Sequence, residues 1–195
     1  MSDELPLPER PRLLLLDRDG TILDETGYLV DPARVRLLPG AAAAIARANR
    51  AGIPVAVVTN QSAIARGMLD EEGLARIHAR IDALLAEEGA RVDLWLHAAH
   101  HPDHSPPDER ELHRRKPGPG MLEEALRHFG VEPSDAVTIG DSDRDLRAGD
   151  RARVPSILVL TGKGRAEREK SRERLGREPR TAWDLASAIA VLLPD

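Results

Sequence analysis

Leu13-Leu14-Leu15-Leu16-Asp17-Arg18-Asp19-Gly20-Thr21 runs from four leucines into two carboxylates spaced two apart, and then into a glycine. The apolar run reads as a buried strand, and Gly20 as the residue that ends it. Such a strand carries Asp17 and Asp19 to the C-terminal edge of a parallel sheet, where α/β folds place their chemistry. In an extended chain a period of two points both acids to the same side and residue 18 to the other. On this reading Arg18 has the least claim on the chemistry of the three.

Outward from this stretch, strands and helices alternate. Residues 12–16, 53–58, 92–96, 136–139 and 155–160 read as strands. Residues 40–51, 70–88, 118–129, 143–150 and 182–193 read as helices. In the second of these Leu74, Ile77, Ile81, Leu84 and Leu85 fall on one face. Residues 18–39 form a long connection, of the length that carries function. Residues 98–117 form a polar loop rich in histidine and proline. Residues 163–180 are so rich in Arg, Lys and Glu that they read as a solvated helix or a mobile excursion, and residues 1–10 as a flexible lead-in. Alternation of this kind predicts right-handed βαβ units: a Rossmann-like three-layer α/β/α sandwich around a central parallel sheet, folded as a single domain over 1–195.

The chain has 195 residues, 41% of them hydrophobic and 31% charged, which is the composition of a folded domain. Its net charge of −5 argues against a nucleic-acid footprint, and its two Trp, one Tyr and one Phe leave little for base stacking. Cysteine is absent, so disulfides and cysteine-held zinc are excluded. No apolar run reaches membrane-spanning length. The acidic N-terminus, with Pro6, Pro8 and Pro11, is unlike a signal peptide. A cytoplasmic monomer acting on a small molecule, with no membrane or nucleic-acid partner, is the expectation.

Three further strand ends carry reactive groups. Val57-Val58-Thr59-Asn60-Gln61-Ser62 places a hydroxyl at the end of the second strand, followed by backbone N–H groups suited to an anion; Thr59 and Ser62 also fit as helix starters. Arg115-Lys116-Pro117-Gly118-Pro119-Gly120 sets a lysine ahead of a helix start, where it would neutralise phosphate charge. Arg114 and Arg115 would add bidentate grip on a second anionic group. Ile139-Gly140-Asp141-Ser142-Asp143-Arg144-Asp145 is another apolar strand emptying into acids, of which Asp141 with Asp17 would suit Mg²⁺. Ser142 or Asp143 would cap the following helix, with Asp145 in its first turn.

In order and spacing these four segments resemble the haloacid dehalogenase superfamily of aspartate-dependent phosphatases, over about residues 12–164. The resemblance implies that Asp17 is the nucleophile and a Mg²⁺ ligand. It makes Asp19 the general acid and base, supplying a backbone carbonyl to the metal. Thr59 and Lys116 then hold the phosphoryl group, Asp141 completes the metal site, and Asp145 orients Lys116 or a metal-bound water. Neither the segment from Asp17 to Thr59 nor that from Thr59 to Lys116 has room for the inserted cap domain of larger members. Specificity is therefore expected from loops 22–38, 61–69 and 98–116.

Gly27-Tyr28, Leu38-Pro39-Gly40, Thr59 through Gly67, Arg115-Lys116-Pro117 and Thr161-Gly162-Lys163-Gly164 sharpen the resemblance. They are similar to the D-glycero-D-manno-heptose 1,7-bisphosphate 7-phosphatase family, with the histidinol-phosphate phosphatases as close relatives. That resemblance implies a phosphorylated sugar as substrate, bound by Arg66 and Arg115, with Asn60 and Gln61 lining the sugar side. Histidinol phosphate is the alternative substrate, and a non-catalytic phosphate- or metal-binding module the alternative of another class. One departure is plain. These families hold a structural zinc ahead of the catalytic lysine with three cysteines and a histidine. Here Ala98, Leu112 and Arg114 stand near the cysteine positions, while His100 and its neighbour His101 remain. His97, His104 and His113 also lie in this loop, so a histidine-held metal is one reading. The expectation is a loop without structural zinc, braced by Pro102, Pro106 and Pro107.

Overall fold

The computed structural model describes residues 4–104 and 109–194. Six parallel strands make one sheet in the order β3-β2-β1-β4-β5-β6. They are β1 (Leu13–Leu16), β2 (Val55–Asn60), β3 (Leu94–Ala98), β4 (Ala136–Gly140), β5 (Ser156–Val159) and β6 (Thr181–Ala182). The leucine run lies at the centre because both its faces are apolar. Leu14 and Leu16 enter the core on one side of the sheet, Leu13 and Leu15 the core on the other, and all four are fully buried. A strand buried on both faces needs this unbroken pattern rather than alternation.

The helices are α1 (Ala41–Arg50), α2 (Ser62–Ala65), α3 (Glu71–Ala86), α4 (Glu109–Arg114), α5 (Gly120–Phe129), α6 (Asp143–Ala152), α7 (Gly164–Leu175) and α8 (Leu185–Leu192). One core gathers residues of α1, α3 and α8 against Leu14, Val55, Val57 and Ile139. The other sets α5 and α6 against Leu13, Leu15, Ala56 and Val58. The alanines of α1 let its backbone approach the sheet closely, and Ala41, Ala42, Ala44, Ala46 and Ala48 are all buried. The chain winds from β1 outward to β3, then returns past β1 to β4. β1 and β4 therefore flank the point where the winding reverses, the place where such sheets open a crevice at their C-terminal ends.

Several expectations are refined. The sixth strand and α4 were not anticipated: β6 has only two residues at the sheet edge, and α4 lies inside the predicted loop. The charged 163–180 segment contains a docked helix rather than a mobile excursion. Ser171 of α7 is buried and donates to Asp143 Oδ1 at 3.0 Å, and Arg174 Nε reaches the same oxygen at 2.8 Å. Within the expected flexible lead-in, residues 4–10 are tied down. Leu7 packs on the core, Arg10 donates to the Ala51 carbonyl, and Glu4 pairs with Arg177. Residues 1–3 of that lead-in and Pro106 and Pro107 of the predicted brace lie outside the described residues. No described helix is long and apolar enough to cross a membrane.

Candidate active site

The sheet register alone brings two acid-bearing strand ends together. Leu16 pairs with Ile139, and the Asp17 N–H donates to the Ile139 carbonyl at 2.9 Å. Asp17 thus leaves β1 beside Gly140, one residue before Asp141. Lys116 reaches this point from the loop ahead of α5. Its Nζ lies 2.7 Å from Asp17 Oδ1 and 2.6 Å from Asp145 Oδ1, with the lysine 4% exposed. Asp145 Oδ2 accepts from the Ser142 N–H and hydroxyl at 3.0 and 2.8 Å. One side chain thereby caps α6 and fixes the lysine, so Ser142 is the N-cap residue and Asp143 is free to hold α7.

Side-chain oxygens of Asp17, Asp141 and Asp145 lie within 4.8 Å of one another. Gly20 and Gly162 make this packing possible. A Cβ on Gly20 would stand 2.0 Å from Asp141 Oδ2, and one on Gly162 would stand 2.2 Å from it. Both glycines also have positive φ, +83° and +51°. The Lys163 N–H donates to the same Asp141 oxygen at 2.8 Å.

Charge in the cluster is unbalanced. Burial pushes the Asp17 carboxyl up to about 8; Lys116 opposes this, while Asp145, Asp141 and Asp19 add to it. Burial likewise raises Asp141 to about 7, against the pull of the Lys163 N–H. Burial opposes the Lys116 charge as well, but Asp145 and Asp17 overcome it and hold its ammonium above the usual lysine range. One ammonium does not neutralise this many carboxylates, and a hard divalent cation bound by carboxylate oxygens supplies what is missing. The residues present therefore fit Mg²⁺.

Two residues expected on the sugar side have other tasks. Asn60 clasps the Lys116 backbone, its Nδ2 donating to the lysine carbonyl at 2.9 Å and its Oδ1 accepting from the lysine N–H at 3.0 Å. Gln61 is 5% exposed. Its Nε2 donates to Thr59 Oγ1 at 2.7 Å and Asp19 Oδ2 at 3.0 Å, and its Oε1 accepts from Arg18 Nη2 at 2.9 Å. Both amides line the cleft wall, but their polar atoms bind protein groups. Arg18 corrects the sequence reading most. Its side chain lines the same cleft as the acids, and its guanidinium grips Asp19, with Nη2 3.0 Å from Oδ2. Spacing along one strand could not reveal where the end of so long a side chain binds.

Asp17, Asp19, Thr59, Lys116, Asp141 and Asp145 face a common cleft of about 480 Å³, a volume suited to one small ligand. Its cationic wall includes Arg115, as expected, and Arg144 and Lys163, which were not singled out. Arg144 stands inside the acid run, between Asp143 and Asp145, and that position was the available signal. Arg66 sits at the rim, exposed, with its guanidinium 5.4 Å from the centre of the Tyr28 ring.

The loop from β3 to Lys116 is laced by arginines. Arg114 Nε donates to the His97 carbonyl at 3.1 Å, and Arg115 Nη1 to the His100 carbonyl at 2.8 Å. The loop histidines take separate partners. His97 lies against Glu71, His113 against Glu123, and buried His100 has Nδ1 2.8 Å from Glu111 Oε2 without a well-aligned hydrogen bond. His101 faces the cleft.

A parallel sheet that delivers an acid pair, a hydroxyl, a buried lysine and further acids to one crevice defines a phosphatase of the HAD hydrolase class. The HAD-hydrolase-like family model matches residues 113–186. A D-glycero-beta-D-manno-heptose-1,7-bisphosphate 7-phosphatase of Mesorhizobium japonicum is 40% identical over 188 residues, covering 92% of this chain and 82% of the relative. The enzyme of the same name from Pseudomonas aeruginosa is 43% identical over 153 residues, covering 78% and 83%. The crystal structure of a D,D-heptose 1,7-bisphosphate phosphatase from B. bronchiseptica, complexed with magnesium and phosphate, superposes with a TM-score of 0.81 at 35% identity. That match covers 93% of this chain and 97% of the other. The chain belongs to the D-glycero-beta-D-manno-heptose-1,7-bisphosphate 7-phosphatase family of HAD hydrolases.

Proposed function

We propose that this chain removes the 7-phosphate of D-glycero-beta-D-manno-heptose 1,7-bisphosphate and leaves the 1-phosphate in place. The observation that carries the reaction is the buried convergence of Asp17, Asp141 and Asp145 around the single Lys116 ammonium. The substrate rests on the relatives of that name, and the cations Arg115, Arg144 and Lys163 lining the cleft, with Arg66 over the Tyr28 ring of its wall, suit a second phosphate.

The Asp17 carboxylate attacks phosphorus as the ester P–O bond breaks, and Asp19 gives its proton to the departing sugar oxygen. The product is an aspartyl phosphate. Asp19, now a carboxylate, takes a proton from water as that water attacks phosphorus. The P–O bond to Asp17 then breaks and inorganic phosphate is released. Lys116 and the Thr59 hydroxyl hold the phosphoryl oxygens throughout. Gln61 donates to Thr59 Oγ1, which leaves the hydroxyl hydrogen for the phosphoryl group. Asp145 acts behind Lys116, fixing the ammonium. Asp17, Asp141 and the Asp19 backbone carbonyl would hold Mg²⁺. When bound, the ion offsets the repulsion between an anionic nucleophile and an anionic substrate.

The test is phosphate release, with and without Mg²⁺, from both anomers of the heptose bisphosphate, histidinol phosphate and simple hexose phosphates. The highest kcat/KM is expected for the beta bisphosphate. A preference for histidinol phosphate would overturn the substrate, and no Mg²⁺-dependent release from any of them would overturn the reaction.

A further inference from the structure

Arg18 is the largest fully buried side chain among the described residues, 1% exposed, in a position that the steps above do not use. A guanidinium stays charged at every working pH, and burying it is costly unless its donors are satisfied. Here they are. Nε lies 3.3 and 3.1 Å from Asp19 Oδ1 and Oδ2, and Nη2 lies 3.2 Å from Oδ1 and 2.9 Å from Gln61 Oε1. Nη1 faces His78 Nε2 at 3.4 Å. The His78 ring stacks on Trp95 at 4.1 Å. Burial, then Arg18 and His97, push its imidazole down to about 3, so it stays neutral and Nε2 serves as an acceptor.

The second hold on Asp19 comes from Gln61, whose Nε2 also donates to Thr59. Asp19 is therefore gripped on one edge by Arg18 and Gln61, while its side chain keeps 22% of its surface open and lines the cleft. A buried ion pair of this kind contributes little net stability against an apolar replacement. What it does fix is geometry.

We propose that Arg18 is the positioning residue for proton transfer: with Gln61 it locks the Asp19 carboxylate in one rotamer and ties that rotamer to the Thr59 end of the phosphoryl seat. The grip holds the Asp19 carboxyl in one place for both proton transfers, to the sugar oxygen and from the attacking water. The inference rests on the reading of Asp19 as the acid and base of the proposed reaction.

The experiment compares kcat/KM on two substrates that differ in their need for a proton. A heptose bisphosphate expels a basic alkoxide and needs it; p-nitrophenyl phosphate expels a stable phenolate and does not. The variants are Arg18→Met, Arg18→Lys and Asp19→Asn, each checked by circular dichroism and thermal melting. Arg18→Met is expected to lose about 100-fold on the sugar phosphate and less than about tenfold on the aryl phosphate, the size of effect that general acid catalysis supplies. Arg18→Lys keeps the charge, but a single ammonium does not span Asp19, Gln61 and His78 together. It is expected to show the same split, smaller, and it decides the matter alone if the methionine variant does not fold. Equal losses on both substrates in the Arg18 variants, or wild-type rates, beside a clear split in Asp19→Asn, would overturn the inference and leave the acid–base reading intact. No split in Asp19→Asn would overturn that reading itself.

Discussion

The floor of the cleft and its rim are built by different rules. The floor is made of two strand ends, the first turn of α6 and the lysine ahead of α5. Asp17, Asp141, Asp145 and Lys116 are buried, close together and bonded to one another or to backbone, on elements held by a doubly covered sheet. The rim is made of residues in loops and at helix ends, exposed or partly so. Arg66 is exposed on an aromatic ring, Arg144 is exposed, and the loop carrying Arg115 is pinned through carbonyls that accept from arginine. The difference separates two tasks. Positions that must hold phosphorus, nucleophile and metal at fixed distances sit on rigid elements. Positions that choose the rest of the substrate sit where a change costs the fold little.

That contrast can be broken most forcefully at the nucleophile. Asp17→Asn is expected to lower kcat by on the order of 10⁴-fold with the fold retained, since its single oxygen-to-nitrogen change removes the attacking group. Steady-state phosphate release beside a melting curve checks this, and wild-type turnover would remove the nucleophile assignment. Lys116→Met comes next. It leaves the Asp17 and Asp145 carboxylates without their cation, and is expected to cost about 3 kcal/mol in stability and about 100-fold in kcat. Urea titration and rates read the two losses separately.

A pH series sharpens the comparison without mutation. The metal-free protein holds Asp17 up to about 8 and Asp141 up to about 7, against an ordinary value of 3.8 for both. Between those limits the folded state binds protons that the unfolded state has lost. Metal-free stability is therefore highest below about pH 4 as far as these groups decide it, and falls as pH rises toward 8. Mg²⁺ replaces those protons, so its affinity should climb over pH 7 to 8, with proton release visible by calorimetry in two buffers. Melting curves in chelator and in excess Mg²⁺ should diverge as pH rises; parallel curves would contradict the charge imbalance at the floor. The smallest effects belong to the rim. Arg115→Ala is expected to raise KM for the bisphosphate about tenfold, and Arg66→Ala only a few-fold, with kcat nearly unchanged in both.

Asp17 and Asp141 were legible in the sequence because each ends an apolar run, and a strand that ends in a carboxylate announces itself within a few residues. The central leucines gave the buried parallel sheet for the same reason. The hold on Asp19 was not legible. It joins residues just past β1, at the end of β2 and on α3, and the Arg18–His78 contact spans 60 positions of sequence. Period-two reasoning placed Arg18 away from the acids and said nothing of where a long side chain ends. The sugar-side reading of Asn60 and Gln61 comes from the family resemblance alone, and spacing gives no sign that their amides also bind the Lys116 backbone and the Arg18 guanidinium. A helix in 163–180 was one of two readings, but its docking was hidden by its charge, since it uses Ser171 and Arg174 on Asp143 rather than an apolar stripe.

Gly20 and Gly162 carry no functional group, yet any Cβ there would occupy the space of the Asp141 carboxylate. In a complete map of tolerated substitutions these two positions should stand blank, as intolerant as the nucleophile itself. Adding matter there would be as damaging as removing chemistry elsewhere. A search for improved variants should therefore treat the pair as immovable and look for gains at the rim.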